Sequence, residues 1–239
     1  METIIVTLFK QASRKSVTKK FDYALTKFPY YEVDELIQGS DVWLNWRRSI
    51  IGSSDAAVLM NENPWSSVSY LLKQKLGEVP EFQGNTATRE GIFLENEARK
   101  KIIDFYEIEL QPKVIQDGKI SYIAASLDAI DKNHSRVFEI KCGLKSYEYC
   151  LKTGKIPDYY YAQLQHILMI TQLNFISYIA YRPTKEILVF EVPRNNSYIC
   201  DLRIAEQSFA QELLNYGHKL QSNFRGRKIQ RNFPLHAKT

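Results

Sequence analysis

The chain has 239 residues, with 32 Lys and Arg against 27 Asp and Glu, which gives a formal net charge of +5. Its 44% hydrophobic and 25% charged residues are typical of a globular protein with a sizeable core and exclude a disordered chain. Its apolar runs all fall short of the roughly 18 residues that a membrane-spanning helix needs, which argues against membrane insertion.

Cysteine usage and the first residues bear on the compartment. Cys142, Cys150 and Cys200 are odd in number and widely spaced, so we expect no disulfide framework and no zinc or iron–sulfur site of four cysteines. The opening METIIVTLFK has no basic region ahead of its apolar stretch and no small-residue cleavage site, so it is a poor signal peptide. A cytoplasmic protein in a reducing compartment is therefore expected.

The hydrophobic pattern predicts three regions along the chain. Residues 1–40 are expected to form an irregular N-terminal extension, residues 41–220 a folded domain and residues 221–239 a basic tail. Helices are predicted over 41–48, from Ser53 onwards, and over 66–76, 88–105, 158–173 and 198–220. Strands are predicted over 112–117, 120–130, 136–142, 175–182 and 186–192. This order predicts the α/β class (α+β mixed), with a central mixed β-sheet flanked by helices.

The first segment of chemical interest joins the helix 41–48 to the helix that opens at Ser53. Gly52 allows a tight turn there, and Ser54 stands at the helix start with Arg47 close by in sequence. Backbone N–H groups at a helix start, a hydroxyl and a guanidinium together suit a phosphate group. Plain helix capping by Ser54 or Asp55 is the alternative.

The predicted helix 88–105 carries a carboxylate within its apolar face. At about 100° per residue, the apolar stripe consists of Leu94, Ala98, Ile102, Phe105 and Tyr106. Glu95 falls within this stripe, and a core-facing carboxylate is costly unless it is paired or binds a metal. A Glu95 at the margin of the stripe that reaches solvent is the alternative.

The most informative segment is the hairpin formed by the second and third predicted strands. Glu139 and Lys141 are two residues apart, so both side chains leave the same face of their strand. A hairpin centred between Asn133 and His134 places Asp128 opposite Glu139, with Cβ atoms about 4.5–5.5 Å apart. Two facing carboxylates suit Mg²⁺ or Mn²⁺, and Lys141 is placed to orient an attacking water or stabilise a phosphate. The alternative is an exposed Glu and Lys ladder on a half-solvated sheet.

The predicted helix 158–173 is apolar nearly all round, so Gln163 within it needs hydrogen-bond partners. A metal-bound water, a substrate phosphate or a backbone carbonyl would each serve. His166 is expected to be structural, because no second histidine lies at metal-ligand spacing.

Basic residues gather towards both ends of the chain. They are Lys10, Arg14, Lys15, Lys19 and Lys20 at the start and Lys219, Arg225, Arg227, Lys228, Arg231 and Lys238 at the end. Such ends suit a polyanion such as nucleic acid, and solvated basic tails are the alternative.

Six short motifs follow one another between about Trp43 and Tyr181. They are W-L-N-W-R-R-S-I-I-G-S-S-D-A-A, N-P-W, G-I-F-L-E-N-E-A-R, S-L-D-A, F-E-I-K-C and Y-A-Q-L-Q. In this order and spacing they resemble the lambda-exonuclease-like (YqaJ) family of viral recombination nucleases, within the PD-(D/E)XK nuclease superfamily. The resemblance implies a restriction-endonuclease-like core within residues 41–220.

The resemblance implies roles for the residues of the hairpin. Asp128 and Glu139 look like the metal-binding carboxylates, with the Ile140 carbonyl as a further ligand. Lys141 looks like the catalytic lysine that activates or positions water.

It also implies roles for residues elsewhere in the chain. Glu95 is similar to the helix glutamate of the family site, where it is a further metal ligand, and Gln163 is similar to the glutamine that completes that site. Arg47 and Ser54, with Ser126, match positions that hold a terminal 5′-phosphate.

The activity that the resemblance implies is 5′-to-3′ degradation of one strand of linear double-stranded DNA, with Mg²⁺ as cofactor and Mn²⁺ as a substitute. Family members often form trimeric rings and work with a single-strand annealing protein, so a homo-oligomer and such a partner are expected. The chain departs from the family pattern at Leu127, where a proline is expected, and at Ala129, where glycine is frequent. Neither departure changes a ligand.

Two other functions remain open at this point. One is an endonuclease with the same core, and the other is a non-catalytic DNA-binding module. The intact set of Asp128, Glu139 and Lys141 argues against the module, and a pocket for a 5′-phosphate would distinguish the exonuclease from the endonuclease.

Overall fold

The computed structural model of the chain describes residues 5–8, 28–33, 36, 40–79 and 86–223. The helices in these ranges are α1 (Asp41–Arg48), α2 (Ala56–Leu59), α3 (Val68–Leu76), α4 (Thr86–Tyr106), α5 (Leu144–Thr153), α6 (Tyr161–Thr171) and α7 (Asn196–Asn223). The strands are β1 (Ile5–Leu8), β2 (Tyr30–Glu32), β3 (Ile51–Gly52), β4 (Leu110–Asp117), β5 (Ile123–Asp131), β6 (Val137–Lys141), β7 (Phe175–Ala180) and β8 (Leu188–Pro193). Single 3₁₀ turns precede α2 at Ser53–Asp55 and α6 at Asp158–Tyr160.

The described strands form one sheet in the order β1-β8-β7-β6-β5-β4-β2, with β3 beside β5. Neighbours are antiparallel, except that β6 and β7 are parallel and so are β3 and β5. A parallel pair needs a crossover connection, and α5 and α6 supply the one between β6 and β7. The predicted α/β class, with a central mixed sheet flanked by helices, is confirmed.

Two segments of the predicted N-terminal extension belong to this sheet. β1 pairs with β8 at one edge, and β2 pairs with β4 at the other. His134, in the turn between β5 and β6, ties β2 down, because its Nδ1 lies 2.6 Å from Tyr30 Oη and its Nε2 lies 3.2 Å from Glu32 Oε1. The prediction that residues 1–40 are irregular is therefore wrong for these two strands.

Apolar residues are buried on both faces of the sheet. Successive residues of β7 alternate between two buried clusters, since Tyr178 belongs to one and Ile179 to the other. Because successive side chains of a strand point to opposite faces, the two clusters lie on opposite sides of the sheet. α6 packs in the first cluster and is buried along nearly its whole length, as its apolar pattern predicts.

α4 packs in the second cluster through the stripe predicted from its sequence. Leu94, Ala98 and Ile102 are at most 5% exposed and share this cluster with Phe138 of β6. Phe105, expected in the same stripe, is 58% exposed near the end of the helix, so the prediction is wrong at that residue.

The helices differ from the prediction at two places. α5 has no counterpart among the predicted helices; it buries Tyr147 and Cys150 and is flanked by Gly143 and Gly154. The helix expected to open at Ser53 is a 3₁₀ turn that continues into the four residues of α2. Among the helices that the structure describes, none combines the length and apolar character needed to cross a membrane.

Candidate active site

The residues that the sequence indicated as functional line one cleft of about 220 Å³. They are Arg47, Ser54, Glu95, Ser126, Asp128, Glu139, Ile140, Lys141 and Gln163. The cleft opens at the edge of β5 that faces away from β4. β3 pairs with this edge at Ala124 and β6 pairs with it at Ala129, and between them no described strand pairs with this edge of β5. The chain therefore leaves a gap in its sheet, and the cleft occupies that gap.

Asp128 lies in a β-bulge of β5. Two residues of β5, Asp128 and Ala129, stand opposite the single residue Pro112 of β4. Proline has no N–H to donate to a ladder, so within sheets it is found at edges and bulges. Bulges turn a side chain away from the regular alternation, which here leaves Leu127 in the core at 1% exposed while Asp128 lines the cleft. The two departures from the family pattern, Leu127 and Ala129, are thus both accommodated in the core.

The hairpin of β5 and β6 has the predicted register. Ala129 pairs with Phe138, as a centre between residues 133 and 134 requires, and this register brings Asp128 level with Glu139. The backbone pairing ends there, and the Ile140 N–H donates instead to Asp128 Oδ2 at 2.7 Å. The Ile140 N–H is therefore bonded to the Asp128 carboxylate, where a regular antiparallel pair would offer a backbone carbonyl.

Both hairpin carboxylates are removed from water. Asp128 is 9% exposed and Glu139 is 1% exposed. Burial raises the pKa of Asp128, and burial followed by the charge of Asp128 raises the pKa of Glu139 above its ordinary value. Two buried carboxylates that oppose each other's ionisation are stabilised by a cation placed between them.

Lys141 supplies one such cation. Its Nζ donates to Glu139 Oε1 and lies 5.1 Å from the centre of the Tyr160 ring. Burial alone would lower the pKa of Lys141, but the charges of Glu139 and Asp128 outweigh it and hold the pKa above its ordinary value. The ammonium is therefore charged at neutral pH and is fixed at the carboxylate pair.

Gln163 of α6 completes the contacts of Glu139. Its side-chain amide donates to Glu139 Oε1 at 2.6 Å, so its partner is none of the three groups that the sequence suggested. Glu139 Oε1 thus accepts two hydrogen bonds, while Glu139 Oε2 is buried without a hydrogen-bond partner. A buried carboxylate oxygen without a donor suits a metal ion.

Arg99 connects α4 to the carboxylate pair. Its Nη2 lies 2.5 Å from Glu95 Oε1, and its Nε donates to the Asp128 carbonyl at 2.7 Å. Burial, followed by the charge of Asp128, raises the pKa of Glu95 to about 7, although Arg99 opposes the shift. Sequence reasoning missed Arg99, and the signal for it is its position four residues after Glu95 on a helix, where two side chains meet.

The oxygen donors of the cleft fit a hard divalent cation. In the ranges that the structure covers, no three His, Cys, Asp or Glu side chains are close enough to make a preformed metal group. The donors on offer are the Asp128 and Glu139 carboxylates and the Ile140 carbonyl, with the carboxylate of Glu95 held by Arg99. Mg²⁺ is usually bound by one or two carboxylates together with waters and substrate phosphate, so this donor set suits it.

The other end of the cleft carries Arg47 and Ser54. The Arg47 Nη2 donates to Ser54 Oγ at 2.8 Å, and its guanidinium lies 4.8 Å from the Trp43 ring centre. Asp55, and not Ser54, closes the turn, because its carboxylate accepts the Gly52 N–H at 2.9 Å. The Ser54 hydroxyl is therefore not used as a helix cap, and it lies with a guanidinium at an open cleft, as an anion site requires.

Comparisons with known proteins agree with this architecture. A sequence model of the YqaJ-like viral recombinase domain matches residues 42–174. The uncharacterized protein YqaJ of Bacillus subtilis (strain 168) is 28% identical over 135 residues, which are 54% of this chain and 41% of that protein. The chain therefore spans about two fifths of the length of this relative.

Solved structures share the fold. An alkaline exonuclease from Laribacter hongkongensis superposes with a TM-score of 0.67 at 22% identity, covering 77% of this chain and 97% of the exonuclease. A phage-related exonuclease from Haemophilus somnus 129PT gives a TM-score of 0.50 at 16% identity, covering 73% and 96%. Because the family match takes in more than half of the residues, this chain belongs to the YqaJ-like viral recombinase domain family.

Proposed function

We propose that the chain is a Mg²⁺-dependent exonuclease, with Mn²⁺ as a substitute, that degrades one strand of linear double-stranded DNA from its 5′ end. The observation that carries this proposal is the single cleft that holds the carboxylate pair, the charged lysine and the Arg47–Ser54 pair together. Hydrolysis of a phosphodiester needs a nucleophile and charge to stabilise the phosphate, and we assign both to the carboxylate end of the cleft and recognition of the strand terminus to the Arg47 end.

The carboxylate end carries the chemistry in this proposal. Asp128, Glu139 and the Ile140 carbonyl would hold Mg²⁺, which when bound supplies positive charge that stabilises the phosphate in the transition state. The ammonium of Lys141 orients the attacking water and stabilises negative charge on the phosphate. Gln163 fixes the Glu139 carboxylate, and Arg99 fixes the backbone of Asp128.

The Arg47 end selects the substrate. A guanidinium presents several N–H donors in a fixed fork that matches a phosphate group. Ser54 adds a hydroxyl at 2.8 Å from that guanidinium, and Ser126 lines the same cleft. A terminal 5′-phosphate seated here would set the position of the strand relative to the carboxylates.

The family resemblance extends the proposal to assembly and partners. We propose a homotrimeric ring that threads DNA, a single-strand annealing protein as partner, and action in the cytoplasm. Light scattering on the purified protein checks the ring, for which a mass three times that of one chain is expected.

Three duplexes test the proposed activity, each incubated with the protein and Mg²⁺: linear with a 5′-phosphate, linear with a 5′-hydroxyl, and covalently closed circular. We expect loss of the linear forms alone, fastest with the 5′-phosphate, and early release of a label placed at the 5′ end. Cutting of the circle would indicate an endonuclease, and no cleavage with either Mg²⁺ or Mn²⁺ would indicate a non-catalytic DNA-binding module.

Arg47→Ala separates the phosphate site from the chemistry. We expect this variant to degrade both linear duplexes at the same rate, because the group that distinguishes their ends is gone. Arg48→Ala is the matched control, since it removes the same charge from the next residue, which does not line the cleft. A preference for the 5′-phosphate that survives in Arg47→Ala would place the phosphate site elsewhere.

A further inference from the structure

Trp65 is an exposed tryptophan that the proposed chemistry leaves unused. It lies between α2 and α3, and 73% of it is exposed. Its backbone N–H donates to Asn63 Oδ1 at 2.8 Å, and the next N–H, of Ser66, donates to the same oxygen at 2.9 Å. The turn thus presents the indole at a fixed place on the surface.

Aromatic rings connect this indole to the cleft. The Trp65 ring centre is 4.7 Å from that of Tyr159 in an edge-to-face contact, and Tyr159 is 4.6 Å from Tyr160. The Tyr160 ring in turn lies 5.1 Å from Lys141 Nζ. Three successive contacts therefore lead from an exposed indole to the lysine at the carboxylate pair.

The charges next to Trp65 and Tyr159 in sequence favour bases over phosphates. Asp158 is exposed and comes directly before Tyr159, and Glu62 comes three residues before Trp65. The two carboxylates are close enough that Asp158, after the larger effect of burial, raises the pKa of Glu62. Negative charge of this kind repels a phosphate backbone, whereas the uncharged face of a nucleobase meets no such penalty.

We propose that Trp65 and Tyr159 form a stacking surface for the nucleobases that flank the bond cut beside Lys141. The proposal rests on the proposed function, because it takes the scissile phosphate to lie at the carboxylate pair. Aromatic side chains bind successive bases of single strands in this way without regard to sequence. The surface would hold bases of the strand that enters the cleft while Arg47 and Ser54 read its terminal phosphate.

Binding of two single strands to the full chain tests the stacking surface. One is a short 5′-phosphorylated oligonucleotide, and the other has the same phosphates but abasic sugars throughout. Fluorescence anisotropy is measured in EDTA, so that no cleavage is needed. We expect Trp65→Ala to weaken binding of the natural strand about 5- to 150-fold, the range for loss of one stacked base, and to leave binding of the abasic strand unchanged.

Two further variants sharpen the test. Trp65→Phe keeps an aromatic face and should bind the natural strand within about threefold of the wild type. Phe105→Ala removes another exposed aromatic ring, which lies ten residues, or about 15 Å of helix, beyond Glu95, and should change nothing. Thermal melting of each variant shows whether the fold is intact, and Tyr159→Leu supplies a second truncation of the surface.

Several outcomes would overturn the stacking surface. One is equal affinity of the wild type for the two strands, and another is an equal loss of affinity for both strands in Trp65→Ala. A third is an unchanged affinity for both strands in Trp65→Ala, which would indicate that Trp65 contacts a protein partner instead. Failure of the proposed function is separate, since it is read from the duplex digestions. If the wild type cleaved no DNA, and Trp65→Ala still bound the natural strand more weakly than the wild type did, the proposed nuclease would be refuted and the stacking surface would be supported.

Discussion

Lys141 contacts the carboxylate pair and stays accessible from the cleft, as the proposed reaction requires. Its ammonium binds Glu139 and lies over Tyr160, while 21% of the side chain stays exposed to the cleft. We expect Lys141→Ala to lower the rate of DNA cleavage at saturating DNA about 10²- to 10³-fold, because charge that stabilises the transition state is lost. Affinity for DNA should stay within about threefold.

The control for this prediction is Lys145→Ala. Lys145 is an exposed lysine of α5, four residues further along the chain. Single-turnover cleavage and anisotropy together separate chemistry from binding. Near wild-type turnover in Lys141→Ala would remove the lysine from the mechanism.

Glu139 carries a buried carboxylate oxygen that no described residue provides with a hydrogen-bond donor. We expect Mn²⁺ at about 100 times its dissociation constant to raise the unfolding free energy of the wild type by about 2.7 kcal/mol. Glu139→Gln should abolish this gain, because an amide replaces a ligand carboxylate. Denaturant unfolding with and without Mn²⁺ measures it, and Glu148→Gln, at an exposed position of α5, is the matched control. An unchanged Mn²⁺ affinity by calorimetry would contradict the assignment of Glu139.

At the level of single residues, strand alternation and the helical period predicted the positions of several residues of the cleft. The period of two placed Glu139 and Lys141 on one face of β6, and the helical period marked Glu95 as a carboxylate near the core of α4. Arg99 was missed because a charged residue four positions from another is most often a solvated surface pair. Here the pair is partly buried, and its second contact is the Asp128 carbonyl, which lies 29 residues away in sequence.

At the level of elements, the bulge of β5 is a feature that was not predicted from the sequence. Pro112 is the first residue of the predicted strand 112–117 but lies two residues inside β4, which begins at Leu110, and a proline inside a strand indicates a bulge or an edge. The hairpin register was predictable because the short polar turn fixes its centre. The bulge depends on β4, a third strand, so the hairpin alone does not determine how Asp128 leaves the regular alternation.

The missed elements have different causes. In α5, the buried residues Tyr147 and Cys150 are three positions apart, which is a helical spacing. The pattern is too short to predict a helix with certainty from sequence. β1 and β2 are edge strands of four and three residues. Their pairing with β8 and β4 joins segments far apart in sequence, which local patterns do not report.

The buried pair of His166 and Glu206 links α6, α7 and β5 behind the cleft. Nδ1 of His166 lies 2.5 Å from Glu206 Oε1 and its Nε2 lies 3.0 Å from the Ala124 carbonyl, which confirms a structural histidine. His166→Leu leaves Glu206, 2% exposed, without its cation and is expected to cost about 3–5 kcal/mol of unfolding free energy. Leucine at both positions should restore most of this loss, as urea unfolding at pH 7 would show.

The same pair makes stability depend on pH. Burial lowers the pKa of His166, but the charge of Glu206 and the hydrogen bonds outweigh burial and leave the pKa above its ordinary value. Because the pKa of His166 is higher in the folded state, the pair stabilises the fold fully below the pKa of an unfolded histidine, about 6.5. This stabilisation is lost as the pH rises through the pKa of the folded state. The unfolding free energy should therefore fall above about pH 6.5, by at most about 1.4 kcal/mol per pH unit. His166→Gln should lack this component, and identical pH profiles would contradict it.

At the level of the whole molecule, the charge of one short stretch of sequence equals the net charge of the chain. Residues 224–239 contain Arg225, Arg227, Lys228, Arg231 and Lys238 and no acidic residue. The other residues therefore hold 27 basic and 27 acidic side chains, which balance. Because residues 1–223 carry no net charge as a whole, we expect attraction to DNA to depend on local basic clusters, of which this stretch is one.

This distribution predicts how DNA binding responds to salt. Each phosphate neutralised by a basic side chain contributes about 0.9 to the slope of log K against log salt concentration. A variant with glutamine at all five basic positions of residues 224–239 should therefore show a slope shallower by up to about 4.5. Its cleavage rate at saturating DNA should be unchanged, because the carboxylate end of the cleft is intact. Glutamine in place of five lysines of the exposed surface, Lys100, Lys119, Lys132, Lys145 and Lys152, is the control for net charge alone. If both variants lost the same slope, the positive charge would act diffusely and the stretch would have no special role.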